Sequence, residues 1–216
     1  MMSKEHLVPE IIDGKLSIKK DNMTLCQDFS LMKDRISPHR LNGEMLIKAA
    51  KIKGQENSSL TILDATAGLG EDSFLLAAAG FKLILVEYNR TIYELLEDGL
   101  RRGLEDPDIS HIVSRMNAIN GNSIDIIESK EFNPDIIYLD PMFPTRKKSG
   151  LIKKKFQIMQ ELENPTDMEI ELLEAAINFR PRKIIIKRPL KAQSLGDIKP
   201  TYSIEGSVIR YDCIVM

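Results

Sequence analysis

The sequence of 216 residues is poor in the side chains that build metal sites and disulfide frameworks. It contains two cysteines, Cys26 and Cys213, and three histidines, His6, His39 and His111. The cysteines lie far apart without CxxC spacing, and the histidines form no HExxH pattern. We therefore expect two reduced thiols, as is usual in the cytosol, and no bound metal ion.

Long apolar runs and a strong net charge are also missing. No stretch approaches the roughly 18 apolar residues of a membrane-spanning helix, and MMSKEHLVPEIIDGK lacks the apolar core of a signal peptide. The net charge of −2 excludes binding of nucleic acid through a general excess of basic residues. We expect a cytoplasmic protein with no membrane partner, on which any surface for nucleic acid is a local patch.

The remaining composition is typical of a globular domain, with 43% hydrophobic and 29% charged residues. From residue 60 onward, short apolar runs alternate with segments of helical spacing. The predicted strands are 60–65, 82–87, 115–121, 134–140 and 183–189, and the predicted helices are 71–80, 90–104, 123–129 and 167–179. This order predicts an α/β fold of the Rossmann-like type, a doubly wound and mostly parallel sheet covered by helices on both faces.

Both ends of the chain depart from that alternation. Residues 202–216 predict a C-terminal antiparallel hairpin that turns at Gly206. Residues 10–20 predict a short hairpin at Asp13-Gly14, and residues 43–54 predict a helix that Gly54 ends. The polar segment that follows divides the chain into an N-terminal extension, 1–57, and a main domain, 58–216.

Polar residues and glycines cluster where the first two predicted strands end. After Asp64, the turn ATAGLG places Gly68 and Gly70 where a missing Cβ lets the backbone approach a ligand closely. The fit to the dinucleotide pattern GxGxxG is poor, because Thr66 stands at the first glycine position. Glu87 ends the second strand 17 residues beyond Gly70, close to the spacing at which an acidic residue binds the ribose of an adenosine-type cofactor.

The third and fourth predicted strands bring further polar groups to the same edge. Asn122 and Ser123 follow the third strand, where they could hydrogen-bond an adenine ring. The fourth strand ends in the tetrad DPMF, residues 140–143. This tetrad resembles the D/N-P-P-Y/F/W motif of methyltransferases that modify the exocyclic amino nitrogens of bases.

The chemistry of such a transfer explains these residue types. An aromatic amine attacks poorly because its lone pair is delocalised into the ring. The carboxylate of Asp140 and the carbonyl of Pro141 could accept its two N–H hydrogens, and Phe143 could stack on the base. The methyl group of S-adenosylmethionine then transfers in line, with catalysis arising from positioning and preorganised polar groups.

A basic run follows the tetrad. Its six residues are Arg146, Lys147, Lys148, Lys153, Lys154 and Lys155. Such a run attracts phosphates through salt-dependent contacts that carry no sequence preference. We predict that it binds RNA beside the target pocket, and that Arg182, Lys187 and Arg188 at the next strand extend this surface. The alternative is a solvated loop.

Three stretches resemble the ribosomal small-subunit methyltransferase J family: DATAGLGEDSF, LVEYN and YLDPMFPTRKKSGLIKKK. Members are class I enzymes that use S-adenosylmethionine to methylate the exocyclic N2 of a guanine near the 3′ end of 16S ribosomal RNA. The resemblance implies that the partner is this RNA or the small ribosomal subunit. Matching positions imply cofactor contacts at Glu71, Asp72, Glu87, Tyr88, Asn122, Ser123 and Asp140, beside Asp64, Gly68 and Gly70 of the turn. The family usually has arginine in place of Glu71 and serine in place of Asn122.

Other functions stay open on the residues alone. The tetrad chemistry also fits methylation of adenine N6 in DNA or RNA, or of a protein glutamine. A catalytically silent RNA-binding protein with the same fold is a further alternative. The incomplete glycine pattern and the DPMF tetrad disfavour a nicotinamide-dependent dehydrogenase.

Overall fold

The structure is a computed structural model, and it describes residues 7–141 and 168–216. The strands in these ranges are β1 (Pro9–Ile12), β2 (Lys15–Lys20), β3 (Met23–Leu25), β4 (Thr61–Asp64), β5 (Lys82–Glu87), β6 (Met116–Asn120), β7 (Ile136–Leu139), β8 (Lys183–Pro189), β9 (Tyr202–Glu205) and β10 (Ile209–Val215). The α-helices are α1 (Pro38–Gly43), α2 (Met45–Ala50), α3 (Glu71–Ala78), α4 (Arg90–Glu105), α5 (Ser110–Val113), α6 (Ser123–Ser129) and α7 (Glu169–Phe179). None of these helices is long and apolar enough to cross a membrane.

A seven-stranded sheet forms the centre of the fold, in the order β6-β5-β4-β7-β8-β10-β9. Strands β4 to β8 pair in parallel, whereas β10 pairs antiparallel with both β8 and β9. The predicted α/β fold with a mostly parallel sheet and a C-terminal antiparallel hairpin is therefore confirmed. The carboxyl ends of the five parallel strands meet at one edge, where ligands bind in sheets of this kind.

Two apolar cores cover the two faces of the sheet. Successive strand residues point to opposite faces, so Ile62 packs in the core that contains Phe74 of α3, and Leu63 packs in the other, with Leu173 of α7. Ile62, Phe74 and Leu173 are fully inaccessible to solvent, and Leu63 is 1% exposed. Burial on both faces explains why these strands are apolar throughout and do not alternate.

The predicted helix over residues 43–54 is wrong in its extent. The chain forms two short helices here, α1 and α2, because the backbone of Glu44 between them is extended, with ψ 125°. The second helix ends at Ala50, where Lys51 is extended and the buried ammonium of Lys183 donates to the carbonyls of Ala49 and Lys51 at 2.8 and 2.7 Å. A lysine that satisfies the last carbonyls of a helix ends it without a glycine.

The N-terminal residues form a small antiparallel sheet, β1-β2-β3. The predicted hairpin is confirmed, and its turn residues Asp13 and Gly14 both have positive φ, 50° and 73°. The sequence did not predict β3. Ile18 and Leu25 of this sheet pack on Leu95 of α4. The division of the chain at residue 57 stays a prediction.

Helix α4 carries a glycine at the point where the N-terminal segment crosses it. A Cβ added at Gly99 would lie 2.7 Å from Cγ and 2.9 Å from Cβ of Gln27. Real Cβ atoms do not come this close, and Gln27 is itself buried, at 2% exposure. Glycine at this position therefore permits the close approach of the segment and the helix.

We predict that Gly99→Ala lowers the free energy of unfolding. Alanine favours a helix interior over glycine by about 1 kcal/mol, but overpacking a close contact costs about 1–3 kcal/mol, so we expect the steric cost to win. Urea unfolding followed by circular dichroism measures the difference. Gly43→Ala is the matched control, because a Cβ there meets nothing within 4 Å. A Gly99→Ala protein as stable as the Gly43→Ala control would contradict this account of the contact.

Candidate active site

The turn from β4 into α3 is the first part of the site. Gly68 and Gly70 have φ of 54° and 75°, values that glycine adopts without strain. A Cβ at Gly70 would lie 2.8 Å from Leu96 and 3.2 Å from Leu85. Packing and backbone conformation thus both require glycine at position 70. Contact of either glycine with a cofactor stays a prediction.

Glu87 at the end of β5 ties this turn to the next strand. Its carboxylate accepts hydrogen bonds from the backbone N–H of Gly68 at 2.8 Å and of Asn89 at 2.7 Å. Burial raises the pKa of Glu87, and the hydrogen bonds from these N–H groups oppose the rise. The turn and the acidic strand end, which the sequence only placed at the same edge, are in direct contact.

Asp64 lies beneath the turn and is 1% exposed. It accepts a hydrogen bond from the Ser73 hydroxyl at 2.6 Å and one from the Thr66 N–H at 3.1 Å. Burial raises the pKa of Asp64 to about 7, although both of these hydrogen bonds favour the carboxylate. Asp64 therefore supports the turn from within, and its contact with a cofactor stays a prediction.

Asp140 follows β7 at the same edge. Its backbone N–H donates to the Thr66 hydroxyl at 2.7 Å, and its side chain accepts from the Lys187 ammonium at 2.8 Å. The same ammonium donates to Asp72 of α3 at 2.7 Å, and the Tyr138 hydroxyl also donates to Asp72, at 2.7 Å. The backbone of Asp140 is thus fixed to the glycine turn, and its carboxylate is fixed to β8 and, through Lys187, to α3.

The N-terminal segment supports the turn from its outer side. The side-chain amide of Gln27 donates to the carbonyl of Leu69, within the turn. Phe29 stacks on Phe74 of α3, with ring centroids 4.9 Å apart. The glycine turn is therefore held between the strand ends and residues that precede the sheet by more than thirty positions.

The other predicted cofactor residues occupy the same edge in different ways. Asn122 caps α6 by accepting from the N–H of Ile124 at 2.9 Å, and the Ser123 hydroxyl donates to the carbonyl of Ala65 at 2.6 Å. Tyr88 is 73% exposed and Glu71 is also exposed. The structure brings these residues to the predicted edge, and their contacts with a cofactor stay predictions.

The predicted extension of the basic surface is wrong. Lys187 is engaged by two carboxylates, and Arg188 is 7% exposed and donates to the carbonyl of Gln193 at 2.7 Å. Arg182 precedes β8, at the opposite end of that strand, and pairs with Asp135 at 3.5 Å. Strand residues close in sequence thus have unrelated environments.

The remaining predictions about this edge fall outside the described residues. They are the base-stacking role of Phe143 and the RNA contacts of Arg146, Lys147, Lys148, Lys153, Lys154 and Lys155. They stay predictions.

Sequence reasoning missed the roles of Thr66, Ser73 and Tyr138 in this network. Tyr138 lies in β7, and Asp140 directly follows that strand two residues later, so the alternation of the extended chain puts them on the same face of the sheet. The pairing of Leu139 with Ile186 then places Lys187 beside Asp140. The alternation was visible in the sequence, but the pairing of β7 with β8 was not.

The charges of this edge suit a cationic cofactor. S-adenosylmethionine carries a sulfonium, an ammonium and one carboxylate, and its ribose hydroxyls are hydrogen-bond donors. The edge offers the carboxyl groups of Asp64, Asp72, Glu87 and Asp140, and the cation among them in the described part of the chain is Lys187. Within that part, no cluster of three histidine, cysteine, aspartate or glutamate residues has the arrangement of a metal site.

Comparison with known proteins identifies the family. The profile of a family described as putative SAM-dependent methyltransferases matches residues 6–216. The chain belongs to this family. S-adenosylmethionine is the family's cofactor, in agreement with the prediction from the strand ends.

The chain is also similar to curated proteins named ribosomal RNA small subunit methyltransferase J, which confirms the resemblance drawn from its motifs. It is 44% identical to the protein of Pseudomonas savastanoi pv. phaseolicola over 171 residues, which are 79% of this chain and 63% of that protein. It is 42% identical to that of Pseudomonas paraeruginosa over 172 residues, 79% of this chain and 65% of that protein. The match thus spans less than two thirds of the length of these relatives.

Solved structures agree on the fold. A SAM-dependent methyltransferase from Neisseria gonorrhoeae superimposes with a TM-score of 0.73 at 28% identity, over 93% of this chain and 79% of that one. An rRNA methyltransferase from Streptomyces viridochromogenes superimposes with a TM-score of 0.54 at 14% identity, over 83% and 85% of the two chains. The second likeness concerns the fold alone.

We predict that Asp64 makes the stability of the protein depend on pH. The folded-state pKa of about 7 lies above the ordinary value of 3.8, so between these values the folded protein holds a proton that the unfolded chain releases. The free energy of unfolding therefore falls as the pH rises through this window, and Asp64→Asn removes that contribution. We expect the stability of Asp64→Asn relative to wild type to rise by on the order of 4 kcal/mol between pH 4 and pH 8.

Urea unfolding at a series of pH values measures this difference. Asp34→Asn serves as the control, because Asp34 is exposed and lies outside the strand-end network. If the difference between Asp64→Asn and wild type stays constant across the series, Asp64 is not the titrating group.

Proposed function

We propose that this protein transfers the methyl group of S-adenosylmethionine to the exocyclic N2 of a guanine in 16S ribosomal RNA. The observation that carries the proposal is the fixed position of Asp140. Its backbone is held by Thr66 and its carboxylate by Lys187, at the strand-end edge that also carries Glu87 and Asp72. A carboxylate preorganised beside a methyl donor is what the polarisation of an amine requires.

In the proposed reaction, some residues bind the cofactor and others polarise the substrate amine. Glu87 would accept from the ribose hydroxyls, and Asp72 would attract the cationic methionine moiety of the cofactor. Asp140 and the carbonyl of Pro141 would accept the two N–H hydrogens of the guanine amine and concentrate electron density on nitrogen. The amine loses its surplus proton after methylation, so the reaction needs no strong base.

The RNA substrate is supported by the names of the relatives and by the basic run after the tetrad. Those relatives are named as ribosomal RNA small subunit methyltransferases. The run from Arg146 to Lys155 supplies six cations close to the proposed target pocket in sequence. Ribosomal RNA would meet the enzyme in the cytoplasm, where the target base is turned out of its stack into the pocket.

Labelled S-adenosylmethionine tests the proposal directly. The protein is incubated with naked 16S RNA and with small ribosomal subunits from a strain that lacks the modification, and the digested nucleosides are then separated. We expect label in N2-methylguanosine. Label in N6-methyladenine or in a ribosomal protein would replace the proposed acceptor with another, and absence of label from all of them would leave a binding protein.

We predict that Asp140→Ala reduces the rate of transfer by about 100-fold or more, because it removes the acceptor that polarises the amine. The fold should persist, since Lys187 keeps its bond to Asp72. The rate is measured in single turnovers at saturating cofactor, and cofactor affinity by calorimetric titration. Asp34→Ala is the control at an exposed aspartate. Wild-type rates in the Asp140→Ala protein would remove Asp140 from the mechanism.

A further inference from the structure

Neither the motifs nor the family resemblance gives Lys187 a role in methyl transfer. It lies near the carboxyl end of β8, beside the strand that carries Asp140. Its ammonium is 2.8 Å from Oδ2 of Asp140 and 2.7 Å from Oδ2 of Asp72, and its side chain is 23% exposed. One cation therefore joins β8 to the ends of β7 and α3.

The charges around Lys187 keep it protonated. Burial lowers the pKa of this lysine, but the carboxylates of Asp140 and Asp72 outweigh burial and raise it above its ordinary value. The titratable groups around Asp140 are Lys187 from β8, Asp72 from α3, Asp64 from β4, Tyr138 from β7 and Tyr211 from β10. Lys187 is the positive group in this described set.

The pKa of Asp140 depends on that positive charge. Burial raises the pKa of Asp140, the ammonium of Lys187 opposes the rise, and Asp72 adds to it. Without Lys187, two carboxylates would face each other in a partly dehydrated site, and one of them would take up a proton at a higher pH. A protonated Asp140 accepts less strongly from an amine.

Lys187 itself is held in place. Asp72, which receives its second hydrogen bond, also accepts from the Tyr138 hydroxyl, and Tyr138 is 1% exposed. A side chain fixed at two oxygens has few rotamers left, so it defines the position of the carboxylate that it contacts. An exposed ion pair would not have this effect.

We propose that Lys187 is a positioning residue for methyl transfer, which holds Oδ2 of Asp140 so that Oδ1 accepts from the substrate amine. The inference rests on the proposed function for its catalytic meaning. The effect of Lys187 on the titration of Asp140 can be measured without any substrate.

The kinetic experiment compares wild type with Lys187→Met and the conservative Lys187→Arg. Transfer requires ionised Asp140, so the rate falls as the pH drops through the pKa of that group. Removal of the ammonium raises this pKa, and the acid limb of the pH profile should move to higher pH in Lys187→Met. We expect about a 100-fold lower rate at neutral pH, the usual cost of a misplaced catalytic group. Lys187→Arg should keep the limb near its wild-type position.

Lys82→Met is the matched control, because Lys82 is exposed and begins β5 at the opposite end of the sheet. It should leave both the rate and the pH profile unchanged. A Lys187→Met protein that loses rate with an unshifted acid limb would reduce Lys187 to a structural role and overturn the inference.

The second measurement separates this inference from the proposed function. Carbon-13 NMR of the aspartate carboxyl groups, assigned with Asp140→Asn, follows the titration of Asp140 in wild type and in Lys187→Met. We expect a titration at higher pH in the variant. Identical titrations overturn the inference whatever the activity, whereas absence of transfer by the wild-type protein overturns the proposed function and leaves the titration result standing. If Lys187→Met proves unstable, Lys187→Gln takes its place, because it also removes the charge but keeps a polar side chain, and the same shift to higher pH is expected.

Discussion

The hydrogen bond from the N–H of Asp140 to the hydroxyl of Thr66 is the constraint on which the strand-end site depends. The ladder between β4 and β7 pairs Asp64 with Tyr138 and continues in the bond from Ala65 N–H to the Tyr138 carbonyl at 3.0 Å. Beyond that point the backbones diverge, and the Thr66 side chain replaces the next rung at 2.7 Å. The glycine turn and the start of the tetrad therefore keep a fixed separation, although Thr66 and Asp140 are 74 positions apart in the sequence.

Four acidic side chains at one edge would repel one another without compensation, and each has a specific partner. Asp64 has the Ser73 hydroxyl, Glu87 has two backbone N–H groups, and Asp72 and Asp140 share Lys187. Asp72 and Asp140 share a single ammonium, and the partners of Glu87 carry no charge, so the edge keeps a net negative charge even when Asp64, with its pKa of about 7, is protonated. The uncompensated negative charge favours a cationic ligand, and the bonds already formed reduce the reorganisation needed when it binds.

The sequence predicted the parts of this arrangement that follow from local pattern. Apolar runs between turn residues located β5 and β7, and the interval from Gly70 to Glu87 placed an acidic group beside the turn. The sequence failed to predict contacts between residues that are distant along the chain. Lys187 was assigned to a basic surface, because its contact with Asp140 depends on the pairing of β7 with β8, which the sequence does not reveal. Helical spacing over 43–54 was real, but the extended backbone at Glu44 that splits the helix leaves no mark in the apolar pattern.

The N-terminal segment also supports the site, although it is distant from the glycine turn in sequence. Gln27 bonds to the carbonyl of Leu69, and Gln27 is itself packed against Gly99 and hydrogen-bonded through its carbonyl to Arg102 of α4. A displacement of this segment would therefore reach the glycine turn directly, without passing through the sheet. Whichever residue marks the boundary of the main domain, the residues around Gln27 are part of the structure that supports the proposed cofactor-binding edge.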